Sequence, residues 1–407
     1  MQETEALTNE EARVAAYRAV EAPTDPRQVR PDTPLEELNL NWRERDLPER
    51  ERTKHVHRLH PYLGKFIPQL VEVFLRKYFQ PGQTVYDPFC GSGTTLVEAN
   101  VLNIHAVGCE IAAFNCLLCR VKTAEYDVRL MKQEVLDILA RVEDKTQGTL
   151  FGSRWADQNL EDTGNGYLLK WFAPQARREL LAYRSLIPEY TYQDLLKVIL
   201  SRAARSARLT THFDLDFPEE PQTEPYYCHK HSRMCYPVQE AFKFLKRYSL
   251  DTIRRIERYS KIRTHAKVTV LCGDSRTVVL PGRVDGVITS PPYVGLIDYH
   301  EQHRYAYELL GLPMDRENEI GASCKGNSQS AKEAYQKDIA SVFAHTGEYM
   351  EPGKPVIIVV HDRDDLYDEI AVRCGFEVEN KIQRHVNRRT GRRASEFYEE
   401  VLIWRKR

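Results

Sequence analysis

The chain has 407 residues, 42% of them hydrophobic and 29% charged, with a formal net charge of -1, which is enough for a large core and a sizeable insertion or second domain. No apolar run reaches the roughly 18 residues of a membrane span, and the opening MQETEALTNEEARVAAYRAV is acidic and polar where a secretory leader is basic and then apolar. The expectation is a cytoplasmic protein with no membrane partner. Nine cysteines without a framework spacing read as reduced thiols rather than disulfides.

Residues 1–54 are polar, with prolines at 23, 26, 31, 34 and 48 and the charge cluster RERDLPERERTKH, and read as a partly ordered N-terminal arm. From residue 55 the texture changes. TVYD (84–87), HAVGCE (105–110), KVTVLCGD (267–274), VDGVITS (284–290) and PVIIVV (355–360) are short β-branched runs, several followed by helix-compatible stretches. Such alternation predicts a parallel, doubly wound α/β sheet. Between 127 and 266 the strand pattern stops and apolar residues recur at helical spacing, as in YQDLLKVILSRAARSARL. The predicted organisation is therefore a first half-sheet over 55–126, a helical insertion over 127–266 and a second half-sheet over 267–407. The end of the chain, FEVENKIQRHV and EFYEEVLIWRKR around NRRTGRR, predicts an antiparallel hairpin added to the sheet edge.

DPFCGSGTTLVEA follows the strand TVYD and opens a helix. Gly91 and Gly93 let the backbone turn tightly and approach a ligand, and the helix start presents unpaired N–H groups. The Gly-Lys-Ser/Thr ending of an ATPase loop is absent, which disfavours phosphoryl transfer. Glu110 ends the next strand, where a carboxylate can accept from both hydroxyls of a ribose. Asp274 follows the third strand, placed for an adenine amino group if the strands are neighbours. Three such features at successive strand ends point to an adenosine-containing cofactor.

DPFCGSGTT together with TSPPY (289–293) resembles the DNA methyltransferases that methylate exocyclic amino groups with S-adenosylmethionine. HPYLGKFIPQL (60–70) resembles their upstream cofactor segment. The resemblance covers about residues 55–125 and 265–407. It implies a class I S-adenosylmethionine-dependent methyltransferase fold, a Rossmann-like and mostly parallel sheet with an antiparallel C-terminal hairpin and, here, a helical insertion. It implies S-adenosylmethionine held by Lys65, Phe66, Asp87, Pro88, Phe89, Gly91, Gly93, Thr94, Glu110 and Asp274. Ser290, Pro291, Pro292 and Tyr293 become the catalytic corner. In that family the tetrapeptide begins with Asp or Asn in most adenine enzymes and with Ser in most cytosine enzymes, so Ser290 points to N4 of cytosine in double-stranded DNA. An N6-adenine enzyme, an RNA base methyltransferase and a catalytically silent nucleic-acid-binding protein are the alternatives. A cognate restriction endonuclease as partner is left open by the sequence. The segment order is permuted relative to many such enzymes, with the cofactor half first.

The chemistry accounts for these residue types. An exocyclic amine has its lone pair delocalised into the ring and needs fixed hydrogen-bond acceptors to become nucleophilic. Ser290 Oγ and the Pro291 carbonyl are the expected acceptors, held rigid by the proline pair, with Tyr293 stacking on an extruded base. No metal and no covalent nucleophile is required, and Cys90 belongs to the cofactor loop.

In the insertion, Arg202, Arg205 and Arg208 recur every three residues and so share one side of a helix. They are expected to hold DNA phosphates, with Arg388 and Arg389 in the terminal hairpin loop. Lys243 to Lys267 adds nine Lys/Arg against two acids. YYCHKHSRMCYP offers Cys228, His229, His231 and Cys235, but the usual Cys-x-x-Cys pair and a distant second pair are missing. It is read as a polar DNA-facing loop with no metal assigned, zinc held by Cys228, His231 and Cys235 being the alternative.

Overall fold

In the computed structural model, which describes residues 22–64, 67–147, 164–293, 298–321, 326, 328–386 and 397–407, the apolar runs become strands of one sheet. These are β1 (Thr84–Asp87), β2 (His105–Glu110), β5 (Val268–Cys272), β6 (Gly286–Thr289), β7 (Pro355–Val360), β8 (Phe376–His385) and β9 (Tyr398–Lys406). Their order is β5-β2-β1-β6-β7-β9-β8. The first five run parallel, while β9 is antiparallel to both β7 and β8. The expected parallel sheet with an antiparallel C-terminal hairpin is thus present. Pro355–Val360 is buried at every position because helices cover both faces, which is why it reads as an unbroken apolar run.

Strand residues alternate between two cores. Val85, Ala106, Ile288, Ile357 and Ile403 face α1 (Pro68–Tyr78) and α2 (Thr94–Val101). Val29, Leu38 and Leu40 pack into this same layer, so the N-terminal arm is docked from residue 22 onward. Tyr86, Val107, Val287, Ile358 and Trp404 form the opposite core with residues 329–348 and 366–373. The chain reverses its winding between β1 and β6, and a crevice opens there at the carboxyl ends of the strands.

A third core joins α3 (Ala113–Thr123) to the helices of the insertion: α4 (Val128–Gln147), α5 (Gly166–Trp171), α6 (Pro174–Leu186), α7 (Gln193–Ala207) and α8 (Phe242–Ser260). The insertion also contains one element that its helical periodicity does not announce, a hairpin of β3 (Tyr226–Cys228) and β4 (Arg233–Cys235). The expectation of uniformly reduced thiols is corrected. Cys116 of α3 and Cys272 at the end of β5 are joined as a disulfide across 156 residues, brought together because Cys272 pairs with Glu110 just before α3. Among the described residues, no helix is long and apolar enough to cross a membrane.

Candidate active site

The glycine loop is held from below by Asp87. Its carboxylate accepts from Thr95 Oγ1 at 2.6 Å, from Thr289 Oγ1 at 2.7 Å and from the Phe89 N–H at 3.1 Å. One buried side chain therefore ties β1 to the loop, to α2 and to β6. Burial pushes its pKa up to about 6, against those three hydrogen bonds. Asp87 is absent from the walls of the cleft above it, so it shapes the loop rather than reaching into the crevice. Gly91 and Gly93 both have positive φ, +48° and +79°, which keeps the loop tight enough to start α2 at Thr94. From the other side the buried Lys122 ammonium donates to the Ser92 carbonyl at 2.6 Å, and Ser275 Oγ donates to that of Pro88 at 2.5 Å.

The crevice is a cleft with about 760 Å³ of empty space, the open solvent at its mouth included. Pro88, Phe89, Gly91, Thr94, Glu110 and Asp274 line it, as does Ser290 with Pro292. Gly93 lies behind the loop, where its Cα faces Cys119. Glu110 accepts from the Ala112 N–H at 2.8 Å. Burial raises its pKa, that hydrogen bond opposes and the Glu319 charge adds to the rise, leaving it at about 7. For Asp274, burial works upward but the Arg276 fork prevails and holds the carboxyl below its ordinary range, with Nη2 to Oδ2 at 2.6 Å.

The Ser-Pro-Pro-Tyr corner leaves β6 fixed at three points. Ser290 Oγ donates to the Val359 carbonyl of β7 at 2.8 Å. Tyr335 donates to the Pro292 carbonyl at 2.9 Å. Tyr293 donates to Glu399 at 3.2 Å, and Glu399 is itself paired with the buried Arg384 at 2.9 Å. The Pro291 carbonyl accepts no hydrogen bond among the described residues. With its proton committed to Val359, Ser290 Oγ keeps its lone pairs as acceptors for an incoming N–H.

Several cleft residues escaped the sequence reading. Tyr62 and Gly64 line it and lie in the flagged HPYLGKF segment, whereas the residues singled out there, Lys65 and Phe66, fall outside the described residues. Tyr299, Asn318, Glu319 and Ile320 also form walls. They come from segments after the corner that carry neither a glycine signature nor a strand end, so no sequence signal marks them.

The arginine ridge at the end of α7 is paired within the protein. Arg202 pairs with Asp251 at 2.8 Å and lies over the Tyr248 ring. Arg205 pairs with Asp216 at 2.6 Å. Arg208 is buried, donating to the Leu215 carbonyl and lying over Tyr305. Spacing put them on one side of the helix, and that side faces the interior, where the structure gives each of these cations a partner within the insertion. The exposed basic face lies on α8 and just beyond it, with Lys243, Lys246, Arg247, Arg254, Arg258 and Lys261. Arg388 and Arg389 fall outside the described residues.

Comparison with known proteins bears on this geometry. A family model described as DNA methylase matches residues 7–119, and one for RMKL-like methyltransferase domains matches residues 73–168. The type II methyltransferase M.MjaII of Methanocaldococcus jannaschii is 37% identical, over 88% of this chain and 81% of its own length. The type II methyltransferase M.MvaI of Kocuria varians is 23% identical, over 65% of this chain and 60% of its own. Among solved structures, TrmN from Thermus thermophilus aligns over 85% of this chain and 50% of that one at 13% identity, with a TM-score of 0.34.

Proposed function

The chain belongs to the amino-methylating DNA methyltransferases, and from that membership we propose that it methylates the exocyclic N4 of cytosine within a short sequence of duplex DNA. S-Adenosylmethionine is the methyl donor of the family. The observation that carries the cytosine reading is Ser290 at the head of the corner, its hydroxyl proton given to Val359.

The cleft suits the donor. Adding a Cβ to Gly91 would place it 2.8 Å from the Tyr62 hydroxyl, so glycine here lets Tyr62 close one wall of the cleft against the loop. Glu110 offers acceptors for a ribose diol, and Asp274 one for an adenine amino group. Bound there, the sulfonium supplies an already activated methyl group. The protein's tasks are to orient the amine and accept its hydrogen bonds. Ser290 Oγ and the Pro291 carbonyl draw on the two N–H groups, favouring a tetrahedral nitrogen whose lone pair is free to attack. One proton leaves the nitrogen after transfer. Tyr293, anchored through Glu399, offers a ring for a base swung out of the helix. The exposed cations of α8 are suited to phosphates, giving salt-sensitive affinity without sequence information.

Two measurements test this reading. After incubation with duplex DNA and labelled S-adenosylmethionine, mass spectrometry of the digested nucleosides is expected to show N4-methylcytosine; N6-methyladenine alone would refute the cytosine assignment, and preference for RNA would refute the substrate. The second is a pH dependence. Both carboxylate oxygens of Glu110 accept from the two ribose hydroxyls only when it is ionised, so cofactor affinity should be full above about pH 7 and fall by up to tenfold per pH unit below it. The sign is opposite for the stability of the free protein. Glu110 is raised above its ordinary value, so the free protein loses this contribution as pH rises from about 4.5 to about 7, and cofactor binding offsets the loss. Calorimetry on wild type and Glu110→Gln checks it: the slope should vanish in the variant, and a flat wild-type profile between about pH 6 and about pH 8 would remove Glu110 from the site.

A further inference from the structure

The hairpin β3–β4 has little to hold it. Each strand is three residues long, and its large apolar side chains Tyr227, Met234 and Tyr236 are exposed. A lone two-stranded hairpin is marginal in water. Its buried side chains are instead Cys228 and Cys235. Cys228 pairs with Arg233 and Cys235 with Tyr226, so the two cysteines lie diagonally on the same face. Between them the chain turns, Ser232 adopting φ +50° and the His231 N–H donating to the Cys228 carbonyl at 3.1 Å. The turn brings the His231 ring back to both sulfurs. From the loop after α7, His212 arrives as a fourth group, its backbone N–H donating to the Tyr226 hydroxyl at 3.0 Å.

We propose that His212, Cys228, His231 and Cys235 bind a zinc ion that fixes this hairpin to the end of α7. One ligand atom from each of the four lies within 4.8 Å of all the others. Cys228 Sγ is 3.6 Å from Nδ1 of His212 and of His231, and Cys235 Sγ is 3.5 Å from Nδ1 of His231. A tetrahedron with zinc–sulfur bonds of about 2.3 Å and zinc–nitrogen bonds of about 2.05 Å has sulfur–nitrogen edges of about 3.6 Å. The three sulfur–nitrogen distances therefore already match edges of such a tetrahedron. Two thiolates and two imidazoles select zinc over harder cations, and four protein ligands leave no open position, so the ion supports shape and takes no part in methyl transfer.

Two other clusters of ligand-type side chains are closed by the protein's own cations. Lys54 stands 2.7 Å from Glu98 beside His55 and His57, and Arg316 is paired with Asp298 beside His300 and Glu319.

The test uses the full chain, purified reduced, without chelator and without a metal-affinity tag. Elemental analysis is expected to find one zinc per chain, absent from Cys228→Ser and Cys235→Ser. Metal-stripped, reduced wild type titrated with Co(II) should develop the intense visible bands of tetrahedral coordination and a thiolate charge-transfer band, both lost in the variants. S-Adenosylmethionine binding by calorimetry should persist in the variants while proteolysis within residues 208–241 accelerates. If the cysteine variants fail to fold, His231→Asn and the wild-type metal content still decide. Wild type lacking both stoichiometric zinc and the cobalt bands would overturn the assignment, as would undiminished zinc in the double cysteine variant. Because metal content and cofactor binding are read separately, a failure here is distinguishable from failure of the methyltransferase reading.

Discussion

Gly91→Val is expected to bind no measurable S-adenosylmethionine while remaining folded. Gly91 sits at φ +48°, a backbone conformation that costs an L-residue roughly 1–2 kcal/mol and a β-branched one more. The added Cβ would also lie 2.8 Å from the Tyr62 hydroxyl and 3.3 Å from its ring carbon. Tyr62 cannot swing away cheaply, because it is stacked on Tyr299 at 5.3 Å and on His303 at 5.7 Å between ring centroids. Either the loop shifts or the ring moves, and both form walls of the cleft. Calorimetry with thermal melting separates lost binding from lost folding. A second comparison isolates the clash: Gly91→Ala should recover part of its affinity in a Tyr62→Phe background, where the oxygen it meets is gone. A Gly91→Ala variant binding like wild type would place the cofactor elsewhere.

Ser290→Ala is expected to lower turnover by about 10²–10³, the scale found when one preorganised hydrogen-bonding group is removed from a developing charge. Cofactor and duplex affinity should change little, since the hydroxyl acts on the amine at attack and its proton is already committed to the Val359 carbonyl. Single-turnover methylation with saturating cofactor and DNA reads the chemical step directly. Wild-type rates in Ser290→Ala would mean that Ser290 merely fastens β6 to β7, and that the amine is polarised by other groups.

The contrast between what was and was not legible follows from how each feature is encoded. Glu110 could be found because it ends a largely buried parallel strand, and Asp274 because the half-exposed edge strand before it is still β-branched and apolar; an acid closing either run stands out. The glycine loop was legible for a similar reason, its turn needing glycine at fixed positions. Asp87 shows the limit: its place beside the loop was readable, but the bonds to Thr95 and Thr289 that turn it inward join positions 8 and 202 residues away. Spacing placed Arg202, Arg205 and Arg208 on one side of a helix but could not say that Asp251, Tyr248 and Asp216 wait on that side. The cluster at Cys228 looked incomplete because its fourth member, His212, precedes it by 16 residues with no motif of its own. Tyr299 and Glu319 enter the cleft only because the chain beyond the corner folds back over it.

The central claim, that the Ser-Pro-Pro-Tyr corner methylates cytosine N4, is tested most directly by the modified-nucleoside profile of DNA from a methylation-free host expressing wild type or Ser290→Ala. The account predicts N4-methylcytosine with the wild type, confined to one sequence context, and its near-complete loss with the variant at equal protein level. N6-methyladenine in place of N4-methylcytosine, or N4-methylcytosine undiminished by Ser290→Ala, would contradict it.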